Sequence, residues 1–330
     1  MSFTRRSTLR MLALPSLAGL VTPAVRGQGF PNRLLTIVVA WPAGNPLDAM
    51  ARKLQPLIAK EIAQTVVIDN VSGAGGTIGV GRVMVQPADG HTIVMGSPTE
   101  MILSPATMPA ARYRPEDFQM VAFFGRAPYV LVGRPSLPQR TLAEIGALRG
   151  KASAPPLSLG NIGPGSQIHL AALQFARASG VAVVHVPYKG VAPMLQDVMG
   201  GQIDLAFVPV NGNLMSFLND GKLRSYGLAS TEPYPLFPTL QTMASGSPDF
   251  SDFRFDTWGA MFVRSSTAAD ASAHLNRAIN SAAQDAGFRE WANATGTEIA
   301  RPMSLAELDQ LYRAEVKTFQ RLAKSIPSTS

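Results

Sequence analysis

Short apolar segments alternate with helix-spaced apolar positions along most of this 330-residue chain. Residues 35–41, 65–69 and 91–96 are the first three apolar segments, and helical patterns over residues 47–58 and 77–85 separate them. Because parallel strands need a crossover connection, this order predicts an α/β fold with a parallel sheet and right-handed crossovers.

A second set of elements follows the first. The predicted strands are residues 129–134, 157–160, 181–186, 203–208, 223–229 and 256–263. The predicted helices are residues 167–179, 192–199, 269–286 and 304–323. If the last two helices return to the first set, the chain forms two lobes with two crossings between them. Lobe 1 would then comprise residues 28–128 plus 255–330, and lobe 2 residues 129–254. Ligands of such sheets bind at the carboxyl ends of strands and in clefts between lobes.

The first 27 residues have the order of an export signal. Arg5, Arg6 and Arg10 precede an apolar run, Met11–Val21, and small residues follow it. The run is too short to span a bilayer. The paired arginines resemble a twin-arginine signal, and the ordinary unfolded-chain route is the alternative. Removal of this segment, with its four arginines, would lower the formal net charge from +7 to +3.

Composition excludes several classes of function. The chain has no cysteine, so disulfides, thiolate metal sites and cysteine nucleophiles are excluded. The remaining basic residues form no run, which argues against nucleic-acid binding. The four histidines are widely spaced, no GxSxG elbow is present, and no acidic pair has a spacing that suggests acid–base catalysis, so neither a metal site, a cofactor nor a catalytic set is expected.

The stretch GNIGPGSQIHLAA, residues 160–172, places a glycine-rich turn directly before a predicted helix. The free N–H groups and the positive dipole end of a helix form an anion site without a lysine. A nucleoside triphosphate would require the Lys-Ser or Lys-Thr pair that is missing here, whereas a carboxylate would not. The alternative is that this loop only turns the chain and caps the helix.

Other loops that follow predicted strands add possible ligand contacts. They are residues 41–48, 72–77, 97–99 and 188–190. Together with Asn161 and Ser166 they bring backbone donors, hydroxyls and an amide toward one cleft. A large aromatic such as Trp41 at the end of a strand would form the wall of a pocket.

Six segments in order make the chain resemble the Bug-type periplasmic solute-binding proteins of tripartite tricarboxylate transporters. They are TIVVAWPAGNPLD, VVIDNVSGAGGTIG, PADGHTIVMGS, LGNIGPGSQIHLA, VVHVPYKGVAPMLQDVMGGQIDLAF and GKLRSYGLAS. The resemblance implies a two-lobed, type II Venus flytrap fold that closes on a small carboxylate. It also implies a periplasmic protein, here predicted to be a monomer, that delivers its ligand to membrane permease subunits without catalysis.

Carried onto this chain, the resemblance implies ligand contacts from both lobes. They are Trp41, Ala43, Gly44, Gly75, Gly76, Ser97 and Thr99 from lobe 1, and Asn161, Ser166, His169, Tyr188 and Lys189 from lobe 2. Two departures from the family pattern, Asn45-Pro46-Leu47 and Val208-Pro209, make the cleft less polar. They favour a ligand less anionic than a di- or tricarboxylate, such as an aromatic or branched monocarboxylate.

Two other functions stay open on the sequence. Gly73-x-Gly75-x-x-x-Gly79 follows a strand and opens a helix, as in some dinucleotide folds, so an exported NAD(P)-dependent oxidoreductase is one alternative. The motif follows the second strand rather than the first, which argues against it. The other alternative is a binding module that reports to a membrane sensor.

Overall fold

The computed structural model describes residues 29–163, 165–210 and 214–324, so the expected export signal lies outside the described residues. The strands are β1 Leu35–Val39, β2 Val66–Asn70, β3 Thr92–Gly96, β4 Phe118–Gly133, β5 Leu157–Asn161, β6 Val183–Pro187, β7 Leu205–Pro209, β8 Arg224–Leu228 and β9 Asp256–Arg264. The helices are α1 Pro46–Ile62, α2 Thr77–Met84, α3 Ser104–Thr107, α4 Leu142–Gly146, α5 Gln167–Ser179, α6 Val191–Met199, α7 Leu214–Asn219, α8 Met243–Gly246, α9 Ala269–Ala283, α10 Ala286–Ala294 and α11 Leu305–Ala323.

The described strands form one continuous ladder in the order β2-β1-β3-β9-β4-β7-β5-β6, with β8 paired to β4. The pairs within β1–β3 and within β5–β7 are parallel, as the sequence predicts. β9 and β4 run antiparallel to their neighbours. The parallel pairing predicted from the βαβαβ order is confirmed for β1–β3, and the sheet as a whole is mixed because β4 and β9 at its centre are antiparallel.

The 16-residue strand β4 belongs to both halves of the molecule. Residues 118–128 pair with β9, and residues 129–133 pair with β7 and β8. We call β1–β3, β9 and the first part of β4, with their helices, the first lobe, and β5–β8 with the second part of β4 the second lobe. β4 changes its pairing partner from β9 to β7 between Pro128 and Tyr129, which supports the predicted lobe boundary after residue 128. The boundaries after residues 128 and 254 both stay predictions.

Backbone hydrogen bonds tie the crossing between the lobes together. The Tyr129 amide donates to the Phe255 carbonyl (2.9 Å), the Phe255 amide to the Ala229 carbonyl (2.9 Å), and the Ala229 amide to the Tyr129 carbonyl (2.7 Å). The two chain crossings therefore lie side by side, joined through a residue of the second lobe.

The helices start and stop at residues suited to those positions. Asn45 caps α1 by accepting from the Leu47 amide (2.9 Å), and Ser304 and Glu307 form a capping box on α11.

The C-terminal helices return to the first lobe, because α9 packs on α1 and β4, and α11 packs on β4. Among the described helices, none is both long and apolar enough to cross a membrane.

Two local features differ from what the sequence predicts. A proline inside a helix is expected to kink the helix or end it early, and α1 does not end at Pro56 but continues to Ile62, with apolar residues of one face buried on both sides of the proline. The helix predicted over residues 269–286 ends at Ala283 instead. Asp285 caps a separate helix, α10, by accepting from the Phe288 amide (2.9 Å).

Candidate functional site

A crevice that is open to solvent lies between the two lobes. It is lined by Trp41, Asn45, Pro46, Leu47, Met50, Ser97, Thr99, Gly125, Ala127, Tyr129, Ile162, Ile168, Gly190, Val191, Pro209, Thr257, Trp258, Gly259 and Thr297. None of these residues carries a charged side chain. Because most lining side chains are apolar, the crevice suits a ligand with an apolar body.

Two tryptophans from the first lobe lie on this crevice. Trp41 lies just after β1, separated from it by Ala40, and Trp258 lies in β9. The indole N–H of Trp258 donates to Glu315 Oε2 on α11 (2.7 Å), and Arg126 donates to Glu315 Oε1 (2.6 Å). These hydrogen bonds fix the ring orientation of Trp258, so this aromatic wall is already positioned before a ligand arrives.

The loop after β3 carries an internal carboxylate, Glu100, beside the crevice. Glu100 is fully buried in a π-helical turn, Thr99–Leu103. Its Oε1 accepts from the Ser97 amide and its Oε2 from the Ser97 hydroxyl, both at 2.6 Å. Burial raises the pKa of Glu100 to about 7, and the hydrogen bonds from Ser97 oppose that rise. Ser97 therefore lines the crevice with its donors already engaged.

The loop after β1 is held by a second internal carboxylate. Asp48 Oδ2 accepts from the Gly44 amide (2.8 Å) and from Arg52 (3.0 Å), and Oδ1 accepts from Asn70 (2.9 Å). Burial raises the pKa of Asp48, but these hydrogen bonds outweigh burial, so its pKa lies below the usual value. The Gly44 amide is consequently engaged as well.

The second lobe presents a helix start without such a partner. Gly190 and Val191, at the N-terminus of α6, line the crevice, and no described side chain caps this helix. Since the first amides of a helix have no intrahelical acceptor, they offer an anion site reinforced by the helix dipole. The exposed Lys189 precedes them and lines an adjoining groove with Trp41, Ala43 and Gly44.

The N-terminus of α5 is capped by its own residues. Ser166 accepts from the His169 amide (3.2 Å), Asn161 Oδ1 from the Gly163 amide (2.9 Å), and His169 Nδ1 from the Gly165 amide (3.3 Å). These donors are therefore used within the loop. Burial and the neighbouring His185 keep the pKa of His169 below its usual value, so its ring is neutral near pH 7.

Tyr188 is engaged outside the crevice. Its hydroxyl donates to Asp197 Oδ2 on α6 (2.7 Å). Burial, followed by this hydrogen bond, raises the pKa of Tyr188 to about 12. The side chain thus braces the loop that presents the N-terminus of α6.

The glycines of the loop after β2 allow close packing. A Cβ on Gly76 would lie 2.5 Å from the Cβ of Glu100, and one on Gly79 would lie 2.5 Å from the Val71 carbonyl oxygen. A Cβ on Gly75 would meet Ser104 Oγ at 2.8 Å. Packing against neighbouring loops explains the glycine pattern that also suggests a dinucleotide site.

The two lobes contact each other beside the crevice. A Cβ on Gly165 of the second lobe would lie 2.3 Å from Thr107 Oγ1 of the first. The buried Gln167 side chain donates to the Asp256 carbonyl (2.8 Å) and accepts from the Tyr129 hydroxyl (3.3 Å). The start of α5 therefore joins the lobes.

The predicted contacts fall into two groups. Those lining the crevice or its adjoining groove are Trp41, Ala43, Gly44, Ser97, Thr99 and Lys189. Gly75, Gly76, Asn161, Ser166, His169 and Tyr188 lie around these residues with the partners described above. All twelve stay predictions as ligand contacts. Sequence reasoning missed the crevice residues from β4, β9 and α6, chiefly Tyr129, Thr257, Trp258 and Val191.

Comparison with known proteins agrees with this geometry. The profile of the family described as "Tripartite tricarboxylate transporter family receptor" matches residues 50–327. The protein BugT of Bordetella pertussis is 32% identical over 319 residues, which cover 94% of this chain and 94% of BugT.

Solved structures share the whole fold. MatC from Rhodopseudomonas palustris, solved with bound malate, is 29% identical, with a TM-score of 0.79 over 89% of this chain and 100% of MatC. Another R. palustris protein, solved with adipate, is 26% identical, with a TM-score of 0.81 over 89% of this chain and 97% of that protein. These matches show the two-lobed fold of periplasmic solute-binding proteins. This chain therefore belongs to the tripartite tricarboxylate transporter family of receptors, the Bug-type solute-binding proteins.

Proposed function

We propose that this protein captures a small carboxylate in the crevice between its lobes and delivers it, unchanged, to a tripartite tricarboxylate-type transporter. The observation that carries this proposal is an apolar crevice that contains the uncapped N-terminus of α6 and no charged side chain. Malate and adipate in the two structural relatives are small carboxylates of the expected kind.

The lining favours a monocarboxylate with an apolar body. Trp41, Met50 and Trp258 provide apolar surface on the first lobe, and Ile162 and Val191 face them from the second. A carboxylate at the start of α6 would accept hydrogen bonds from its free amides and would lie near Lys189. The two segments that depart from the family pattern, Asn45-Pro46-Leu47 and Val208-Pro209, also lie on these walls.

Membership of the family supports a proposal for the wider role. We place the protein in the periplasm after removal of residues 1–27, as a monomer whose lobes, residues 28–128 plus 255–330 and residues 129–254, close on the ligand. Permease subunits of the membrane are the expected transient partners.

A binding panel tests the ligand class. Small molecules carried through native purification are identified by mass spectrometry, and calorimetry then compares branched and aromatic monocarboxylates with malate, adipate and citrate. We expect a monocarboxylate to bind most tightly and to compact the protein in small-angle scattering. Tighter binding of citrate or malate would refute the ligand class, and no binding of any carboxylate would refute the function.

A transport experiment separates delivery from sensing. Cells lacking this protein should lose high-affinity uptake of the ligand identified in the panel, and restoring the gene should recover it. Unchanged uptake together with a lost transcriptional response to the ligand would instead support a sensor module.

A further inference from the structure

Glu100 occupies the point where three loops of the first lobe meet. Its carboxylate accepts two hydrogen bonds from Ser97, and its Cβ lies where a Cβ on Gly76 would clash. An amide and a hydroxyl that converge on one carboxylate form an anion-binding site. In this chain, that site is filled from within.

The filled site lies at the edge of the crevice. Ser97 and Trp41 both line the crevice, while Glu100 itself has no exposed surface. A ligand carboxylate approaching Ser97 would find no free donor there. It would also meet a negative charge in a poorly solvated environment, where like charges repel strongly. On the second lobe, no carboxylate of the described residues caps α6, which begins at the crevice with Gly190 and Val191. The amides at this helix start therefore differ from the Ser97 amide, which already donates to Glu100.

We propose that Glu100 is a specificity-determining residue, which fills the anion position of the first lobe and excludes ligands with a second carboxylate at that end. This inference rests on the proposed function, since it concerns the same crevice. It assigns an orientation as well: the single carboxylate lies at α6, and the apolar end of the ligand lies against the first lobe.

The substitution Glu100→Gln tests the exclusion with little change in shape. Calorimetry would measure the affinities of matched acids, hexanoate with adipate and benzoate with terephthalate, for wild type and variant. We expect the wild type to prefer each monoacid, and Glu100→Gln to shift the diacid-to-monoacid affinity ratio at least about tenfold toward the diacid. Glu61→Gln removes an exposed carboxylate of α1 and should leave the ratio unchanged.

The pH dependence of the wild type gives a second test that needs no variant. The titratable groups that face Glu100 are Tyr113, whose hydroxyl donates to the Glu100 carbonyl, and Tyr129. Burial raises the pKa of both tyrosines far above neutral, so neither ionises near pH 7. Because burial raises the pKa of Glu100 to about 7, discrimination against the diacid should strengthen from about pH 6 to about pH 8.5.

The outcomes separate the two proposals. If carboxylates bind but the diacid-to-monoacid ratio depends neither on Glu100→Gln nor on pH, the role of Glu100 is wrong and the proposed function stands. A wild type that prefers adipate to hexanoate would likewise overturn the role of Glu100. If no acid binds to any form of the protein, both proposals fail.

Discussion

The two walls of the crevice differ in whether their backbone N–H donors are free to bind an anion. On the first lobe, the amides of Gly44 and Ser97 already donate to carboxylates of the protein, Asp48 and Glu100. On the second lobe, α6 begins at the crevice with no side chain of the described residues capping it. Helix and loop donors at a cleft are therefore not equivalent, because only those without an internal acceptor can contribute to affinity for an anion.

The largest expected effect comes from removing one donor on the second lobe. Val191→Pro deletes the first amide of α6 at a position where proline fits a helix, since Gly190 before it is extended. We expect carboxylate affinity to fall about 10- to 100-fold, the value of one charged hydrogen bond.

The matched control for this change is Val191→Ala, which shortens the same side chain and keeps the amide. Calorimetry on both variants separates loss of the donor from loss of apolar contact. Equal losses of affinity in the two variants would show that α6 does not bind the carboxylate, and the contrast between the walls would disappear.

The next largest effect on ligand affinity is expected from a substitution that hinders close contact between the two lobes. Gly165→Ala places a methyl group against Thr107 Oγ1, and overpacking of this kind costs about 1–3 kcal/mol. If this contact forms when the lobes close, ligand affinity should fall roughly tenfold, and ligand-induced compaction in small-angle scattering should be reduced.

Gly163→Ala is the control for Gly165→Ala. Both glycines have positive φ, 104° and 79°, but a Cβ on Gly163 would meet no atom within 4 Å. Backbone strain should therefore lower the stability of both variants, whereas only Gly165→Ala should weaken binding. Adding Thr107→Gly to Gly165→Ala should restore affinity, and failure to do so would refute the steric argument.

A smaller effect is expected from the internal acceptors of the first wall. Asp48→Asn keeps one oxygen but loses the charge-assisted hydrogen bonds, so the free energy of unfolding should fall by about 1 kcal/mol. The folded pKa of Asp48 is lowered, so its stabilisation is present above the unfolded pKa of about 3.9 and is lost as the pH falls through the folded pKa.

Urea denaturation at several pH values measures this effect. The difference between Asp48→Asn and wild type should be full near pH 7 and should shrink below about pH 4. A difference that stays constant across this range would mean that ionised Asp48 does not stabilise the loop. Asp309→Asn, at an exposed position, serves as the control.

The smallest effect is expected from the positive charge beside α6. Lys189 is exposed at the adjoining groove, so Lys189→Ala should weaken binding less than about threefold, and salt should reduce even that difference. Calorimetry at low and high salt measures it. A loss larger than that of Val191→Pro would make the ammonium group, rather than the helix amides, the main anion contact.

Much of the fold could be predicted because its strands are short, apolar and buried. β1, β3 and β7 have almost no exposed residues, and their alternation with helical patterns is visible without coordinates. The first part of β4 was missed because Gly125, at φ 131°, lies at an irregularity in the pairing with β9 and interrupts the strand pattern.

The site could be predicted only in part. Loops after strands identified Trp41, Ser97 and Thr99, because the carboxyl ends of parallel strands share one edge. Thr257 and Trp258 reach the crevice through the pairing of β9 with β4, across about 130 residues of sequence, which no local pattern reveals. The return of Glu100 onto Ser97 depends on a π-helical turn, for which the sequence has no evident signal.

The pairing of Pro128 with Asp256 bears on how such receptors could be engineered and how they could evolve. The two ends of the segment between these residues therefore lie next to each other, on neighbouring strands of one sheet. Such a segment can be exchanged as a cassette between homologous receptors if the two chain junctions and the contacts of Gly165 and Gln167 with the first lobe are matched. New pairs of walls, and with them new ligand preferences, are therefore accessible by recombination rather than by stepwise substitution.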